Sequence, residues 1–162
     1  MTQTTLFGGS GKLLSDARKE VMGALDDGIV CPCCDKYVRQ YKRKFNSTMA
    51  RSLMWLVKAH SESADGWVDV PYLAPRWLVQ TNQLPTVRWW GLIERKSNTD
   101  SETKHSGLWR PTEAGIDFVN KETKIIASAI TYNGNVTGFA GDEIDIESAL
   151  GNKFSYSEMM GT

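Results

Sequence analysis

Trp90-Gly91-Leu92-Ile93-Glu94-Arg95, followed after a polar gap by Leu108-Trp109-Arg110-Pro111-Thr112-Glu113-Ala114-Gly115, decides the fold of this 162-residue chain. The first string reads as a helix that ends on a glycine and drops into a strand. Gly91 sits where the chain must turn sharply, and glycine enters the left-handed region there without steric cost. Leu92 to Lys96 alternates weakly, as an edge strand does. Residues 97 to 106, Ser-Asn-Thr-Asp-Ser-Glu-Thr-Lys-His-Ser, hold no apolar side chain, so they read as an exposed hairpin tip. Gly107 to Arg110 returns as the second strand. Thr112 is then a helix N-cap, Glu113 suits the positive helix terminus, and Ile116, Phe118 and Val119 supply a buried face.

Working upstream, Met49, Leu53, Leu56, Val57 and His60 recur at helical spacing and predict an amphipathic helix. Gly66 to Val70 is a short strand, Ala74 to Val79 a second helix, Gln80 to Asn82 a turn, and Gln83 to Trp90 a third helix with Pro85 in its first turn. Asn46 and Ser47 separate this region from another predicted helix, Asp35 to Phe45, with Tyr37, Val38, Tyr41 and Phe45 on one side and Lys36, Arg39 and Arg43 opposite. Ser15 is the expected cap of a first helix through Leu25, buried along Ala17, Val21, Met22 and Leu25. Downstream, alternation from Lys124, a turn at Asn133-Gly134-Asn135 and continuation through Val136 to Ile146 predict a β-hairpin or two. Short helical pieces follow around Glu147–Leu150 and Tyr156–Met160.

Over about residues 47 to 120 this succession resembles the winged helix-turn-helix regulators, including those of the MarR type. The residues that carry the likeness are Gly91-Leu92-Ile93-Glu94-Arg95 after the third helix and Thr112-Glu113-Ala114-Gly115 at the next helix start. The wider arrangement, a cysteine motif ahead of the domain and a Gly-rich tail behind it, is similar to that of bacteriophage-encoded proteins. The expected class is α+β, in four parts: a disordered arm (1–12), a helical extension with a cysteine knuckle and basic helix (13–46), the winged domain (47–120) and an acidic, β-rich tail (121–162). The resemblance implies double-stranded DNA as partner and transcription regulation as function. It also implies that Gln83, Thr86 and Arg88 on the third helix face base edges, while Arg76, Lys96, Lys104 and Arg110 meet phosphate or the minor groove.

Charge adds to this reading. The chain is formally neutral, yet residues 36 to 58 carry Lys36, Arg39, Lys42, Arg43, Lys44, Arg51 and Lys58 with no acid, a net +7. Residues 113 to 162 carry eight acids against Lys121, Lys124 and Lys153, a net −5. Such a layout suits a protein that meets a polyanion on one side, with Lys36, Arg39, Lys42, Arg43 and Lys44 supplying sequence-independent affinity. A solvated helix face is the plainer reading of the same run. Asp100 and Glu102 also offset Lys96 and Lys104 in the wing, which suits a protein–protein module docking on a host protein instead. The acidic tail is a candidate homodimer element, or a mask over the basic segment.

Cys31-Pro32-Cys33-Cys34 has three readings. Cys31 and Cys34 have the spacing of half a zinc knuckle, whose completion as a structural site needs His60, His105, an acid or Cys33, with His60 the leading candidate. Alternatively Cys31 is an activated thiol of the glutaredoxin kind, or the cysteines are small buried hydrophobes. Catalysis has little support: His60 and His105 are the only histidines, and neither has a nucleophile or carboxylate at suggestive spacing, so a non-enzyme is expected. Gly8-Gly9-Ser10-Gly11-Lys12 lacks the strand and spacing of a phosphate-binding loop. The six tryptophans read as core and strand packing. With 41% hydrophobic residues the chain can build a core. The lack of a long apolar run or a leader pattern after Met1 predicts a cytoplasmic protein off the membrane.

Overall fold

The computed structural model describes residues 13–97 and 106–160. The expected arm (1–12) and the tip of the wing, Lys104 and His105 included, lie outside the described residues.

Helix α1 (Leu14–Gly23) buries Ala17 and Val21, and Leu25 is buried just beyond it. Its N-cap is Leu13, without a side-chain bond, so Ser15 lies inside the first turn and does not cap it. Strands β1 (Ile29–Val30) and β2 (Tyr37–Val38) pair around the cysteine turn, which closes with Asp35 in the left-handed region at φ 60°. The chain then runs on as strand β3 (Tyr41–Lys44), so the basic helix expected over 35–45 does not form. Two causes outweigh the helical spacing. Tyr37, Val38 and Tyr41 favour extended backbone, and Tyr41–Lys44 finds a partner strand in Thr131–Ser128, far along the chain. Of the residues expected on its packed face only Phe45 is buried; Tyr37 and Tyr41 are exposed and Val38 is half-buried.

Asn46 caps helix α2 (Ser47–Glu62), its Oδ1 accepting the Met49 N–H at 2.8 Å. Met49, Leu53 and Leu56 are buried along α2 as their spacing requires, with Ala50 and Met54 beside them. Strand β4 (Val68–Asp69), short helices α3 (Val70–Leu73) and α4 (Arg76–Thr81), and Asn82 at φ 49° lead into the third helical segment. The expected second helix therefore starts two residues late and takes Gln80 and Thr81 from the turn. The third segment, Leu84–Trp90, is a 3-10 helix and not an α-helix. Leu84 and Val87 are buried and Trp90 packs on the core, a three-residue period that a 3-10 helix keeps on one face.

Gly91 ends that helix at φ 71°. Strands β5 (Ile93–Arg95) and β6 (Leu108–Pro111) follow, giving an antiparallel sheet in the order β4-β6-β5 with Val68 and Arg95 both opposite Trp109. Thr112 caps helix α5 (Glu113–Val119) by accepting the Gly115 N–H at 3.2 Å, while its own backbone N–H bonds the Leu92 carbonyl at 2.9 Å.

The tail is a hairpin, β7 (Ile125–Tyr132) and β8 (Asn135–Ile144), turned by Asn133 and Gly134 at φ 50° and 76° as a two-residue turn of this composition should be. Asp145 then caps α6 (Ile146–Leu150), and α7 (Tyr156–Met160) closes the described chain. The second sheet runs β3-β7-β8, so the basic segment and the tail form one sheet. A single buried cluster joins Phe45 to Leu53, Leu56, Phe118, Ile146 and Leu150, with the Phe45 ring edge-on to Trp90 at 5.0 Å and to Phe118 at 5.6 Å. The molecule is thus a mixed α+β protein with small antiparallel sheets, its core crossing the boundaries expected at 46 and 120. Among the described residues no helix is long and apolar enough to cross a membrane.

Candidate nucleic-acid interface

Strand β3 is an edge strand whose four residues, Tyr41 to Lys44, all face solvent in part. Strand β7 meets β3 through backbone bonds, and Lys44 also lines a cleft with Ile144 and Ser148–Lys153 of the tail. Among the described residues the ion pairs join Arg110 to Glu94 and Lys121 to Glu147, and neither involves β3. Arg39 and Arg43 both lie against the Tyr41 ring, their guanidinium carbons 5.7 and 5.1 Å from its centre.

A cleft of about 490 Å³ opens between β3 and the 3-10 helix. Lys42, Arg43 and Lys44 line one side, Gln83, Thr86 and Trp89 the other, and Asn46 and Met49 its end. No carboxylate lines it. The fold therefore brings together five of the residues expected to contact DNA: Lys42, Arg43, Lys44, Gln83 and Thr86. The polar ones are held by neighbours. Asn46 Nδ2 donates to Gln83 Oε1 at 3.5 Å, Gln83 Nε2 to the Thr81 carbonyl at 3.4 Å, and the Thr86 hydroxyl to the Gln83 carbonyl at 2.5 Å.

The other expected contacts are placed elsewhere. Arg88 is exposed on the 3-10 helix, and Arg76 is exposed at the start of α4. Lys36 sits in the β1–β2 turn, its carbonyl accepting the Cys31 N–H. Arg110 is paired with Glu94 and stacked on Trp67 at 4.2 Å, with the Lys96 ammonium 5.8 Å from the same ring. Both side chains of that pair are partly exposed. Lys104 lies outside the described residues.

Two cleft residues were assigned other roles by sequence. Trp89, expected in the core, is only half-buried, and its indole N–H, closed off from solvent, has no acceptor among the described residues. Asn46, expected only as a break between helices, is a helix cap that reaches the cleft, and an asparagine at a helix start is the signal for it. Of the tryptophans, Trp109 is buried while Trp55, Trp77 and Trp90 are partly buried against the core.

Cys33 and Cys34 are exposed and Cys31 is half-buried, so they are not buried hydrophobes. The backbone N–H groups of Cys33 and then Cys34 hold the Cys31 thiol below its ordinary range, which is the electrostatics of a small turn presenting amides to sulfur. His60 is engaged elsewhere, its Nδ1 2.6 Å from the Gly66 carbonyl. Among the described residues no group of three or more His, Cys, Asp and Glu side chains is arranged to hold a metal ion.

Compared with family models, curated proteins and solved structures, the chain matches none of them.

Proposed function

We propose that this chain is a double-stranded DNA-binding protein of the winged helix-turn-helix kind, a transcription regulator whose affinity comes from strand β3 and not from the wing. The observation that carries this reading is the acid-free cleft joining Lys42, Arg43 and Lys44 to Gln83 and Thr86. The order of elements supports it: α2, β4, two short helices, a third helical segment, then β5 and β6 flanking a polar loop, with β6 central in the sheet. In such a molecule the third segment offers Gln83 and Arg88 to base edges while β3 follows the phosphates. Each phosphate neutralised releases counterions, so binding weakens with salt, at a logarithmic slope of about −0.9 per contact.

A second reading is a module that docks on a protein. Its support is Tyr72, 85% exposed, with Leu73 and Val79 also exposed on α3 and α4. A gel shift separates the two. Binding of random duplex at about 50 mM salt that falls steeply by 200 mM supports DNA, and no binding at the lower salt removes it.

A further inference from the structure

We infer that the cleft between β3 and the 3-10 helix is a seat for one unpaired nucleotide of a DNA strand, an inference that rests on the DNA reading and makes it more specific. The cleft is open to solvent, but its lining is more than a phosphate stripe. Its volume, about 490 Å³, is in the range of small-ligand sites, and its walls carry three different chemistries.

On one wall Lys42, Arg43 and Lys44 offer cationic donors and no acceptor, which is the chemistry of a phosphate partner. At the end and opposite wall, the amides of Asn46 and Gln83 are each held by two bonds: Asn46 Oδ1 accepts the Met49 N–H and its Nδ2 donates to Gln83 Oε1, while Gln83 Nε2 donates to the Thr81 carbonyl. Each keeps one further amide hydrogen, and the Thr86 oxygen, having donated its proton, keeps its lone pairs. Held donors and an acceptor at the rim of a pocket suit a base edge. The third chemistry is Trp89, whose half-buried indole supplies aromatic surface to the lining. Aromatic surface, base-edge groups and cations around one volume match a nucleotide, and a paired, stacked base inside a duplex cannot enter it.

The shared chemistry is a nucleotide with a free base, and the source we assign is the DNA strand. The test is fluorescence anisotropy on the full chain at about 50 mM salt with a random 20-base-pair duplex, the same duplex carrying one extrahelical nucleotide, and adenosine monophosphate as competitor. One stacked base predicts about tenfold tighter binding of the second DNA. That ratio should collapse toward one in Trp89→Leu, and separately in Gln83→Ala, which tests the seat should the tryptophan variant fold poorly. Duplex binding with a ratio of one in the unaltered chain overturns the seat and leaves the DNA reading standing. Binding of the bulged DNA alone keeps the seat and overturns the intact-duplex reading. Adenosine monophosphate bound as tightly as the bulged DNA overturns the strand as its source, and binding of none of the three overturns both inferences.

Discussion

Replacing Gly115 by alanine should be among the most damaging single changes in this protein, although it adds only one methyl group. A Cβ at Gly115 would stand 2.0 Å from the Leu92 carbonyl oxygen and 3.0 Å from its carbon. Carbon and carbonyl oxygen approach no closer than about 3.3 Å, so α5 or β5 must shift by more than roughly 1 Å. The obstacle is backbone, with no side chain able to swing aside. The shift breaks the Thr112 N–H bond to Leu92 and disturbs the Thr112 cap, each worth about 1 kcal/mol, and adds an overpacking cost of about 1–3 kcal/mol. The total is about 3–5 kcal/mol, a large part of the roughly 5–15 kcal/mol of a typical domain. Gly91→Ala is the matched control: no atom lies within 4 Å of its added carbon, but φ is 71°, so it should cost about 1–2 kcal/mol. Urea unfolding with constant m-value measures both. A Gly115→Ala loss below about 1 kcal/mol, or one smaller than that of Gly91→Ala, would refute the close approach of α5 to β5 that gives the Thr-Glu-x-Gly string its glycine.

The other expectations concern charge and caps. Removing Lys42, Arg43 and Lys44 together as alanines should flatten the salt slope of DNA binding by up to about 2.7 while leaving the melting temperature nearly unchanged, because β3 pairs through its backbone; an unaltered slope would exclude β3 from the contact. Arg88→Ala should reduce discrimination between sequences by about 1–3 kcal/mol in competition binding, with random duplex bound almost as before. A uniform loss across sequences would instead make Arg88 a phosphate contact. Asp145→Ala should cost about 1 kcal/mol at neutral pH through loss of the α6 cap. The Ser148 backbone N–H is the main cause holding the Asp145 carboxyl below its ordinary range, so the stabilisation is complete above the unfolded value near pH 4. It is lost as pH falls through the folded value, and the two proteins' unfolding midpoints should converge in acid. A gap that stays constant as the pH falls would contradict this.

Features set by local chemistry were legible in the sequence. Gly91, the Thr112 cap, the Asn133-Gly134 turn and the short helices after Asp145 each depend on one or two adjacent residues, and each is present. The α2 stripe was legible because five residues repeat at one period. Strand β3 was not, since Tyr41 to Lys44 are all exposed and leave no burial pattern to distinguish periods of 2 and 3.6, and their partner strand begins some eighty residues later. The 3-10 helix was hidden for a subtler reason: over seven residues, Leu84, Val87 and Trp90 fit either helix, and tertiary packing decides. The site was half legible. Its cations and Gln83 and Thr86 could be named, but their meeting in one cleft follows from the β3–β7 pairing, and nothing in the sequence pairs Arg110 with Glu94 and Trp67.

The central claim is one of place, that nucleic acid lies along β3 and the 3-10 helix. Amide chemical shifts of the full chain titrated with a random 12-base-pair duplex at low salt test it most directly. The expected changes fall on Lys42–Asn46 and Gln83–Trp89, and fade together as salt rises. Changes confined to Tyr72, Leu73 and Val79, or to β5 and β6 around Arg110, would contradict it.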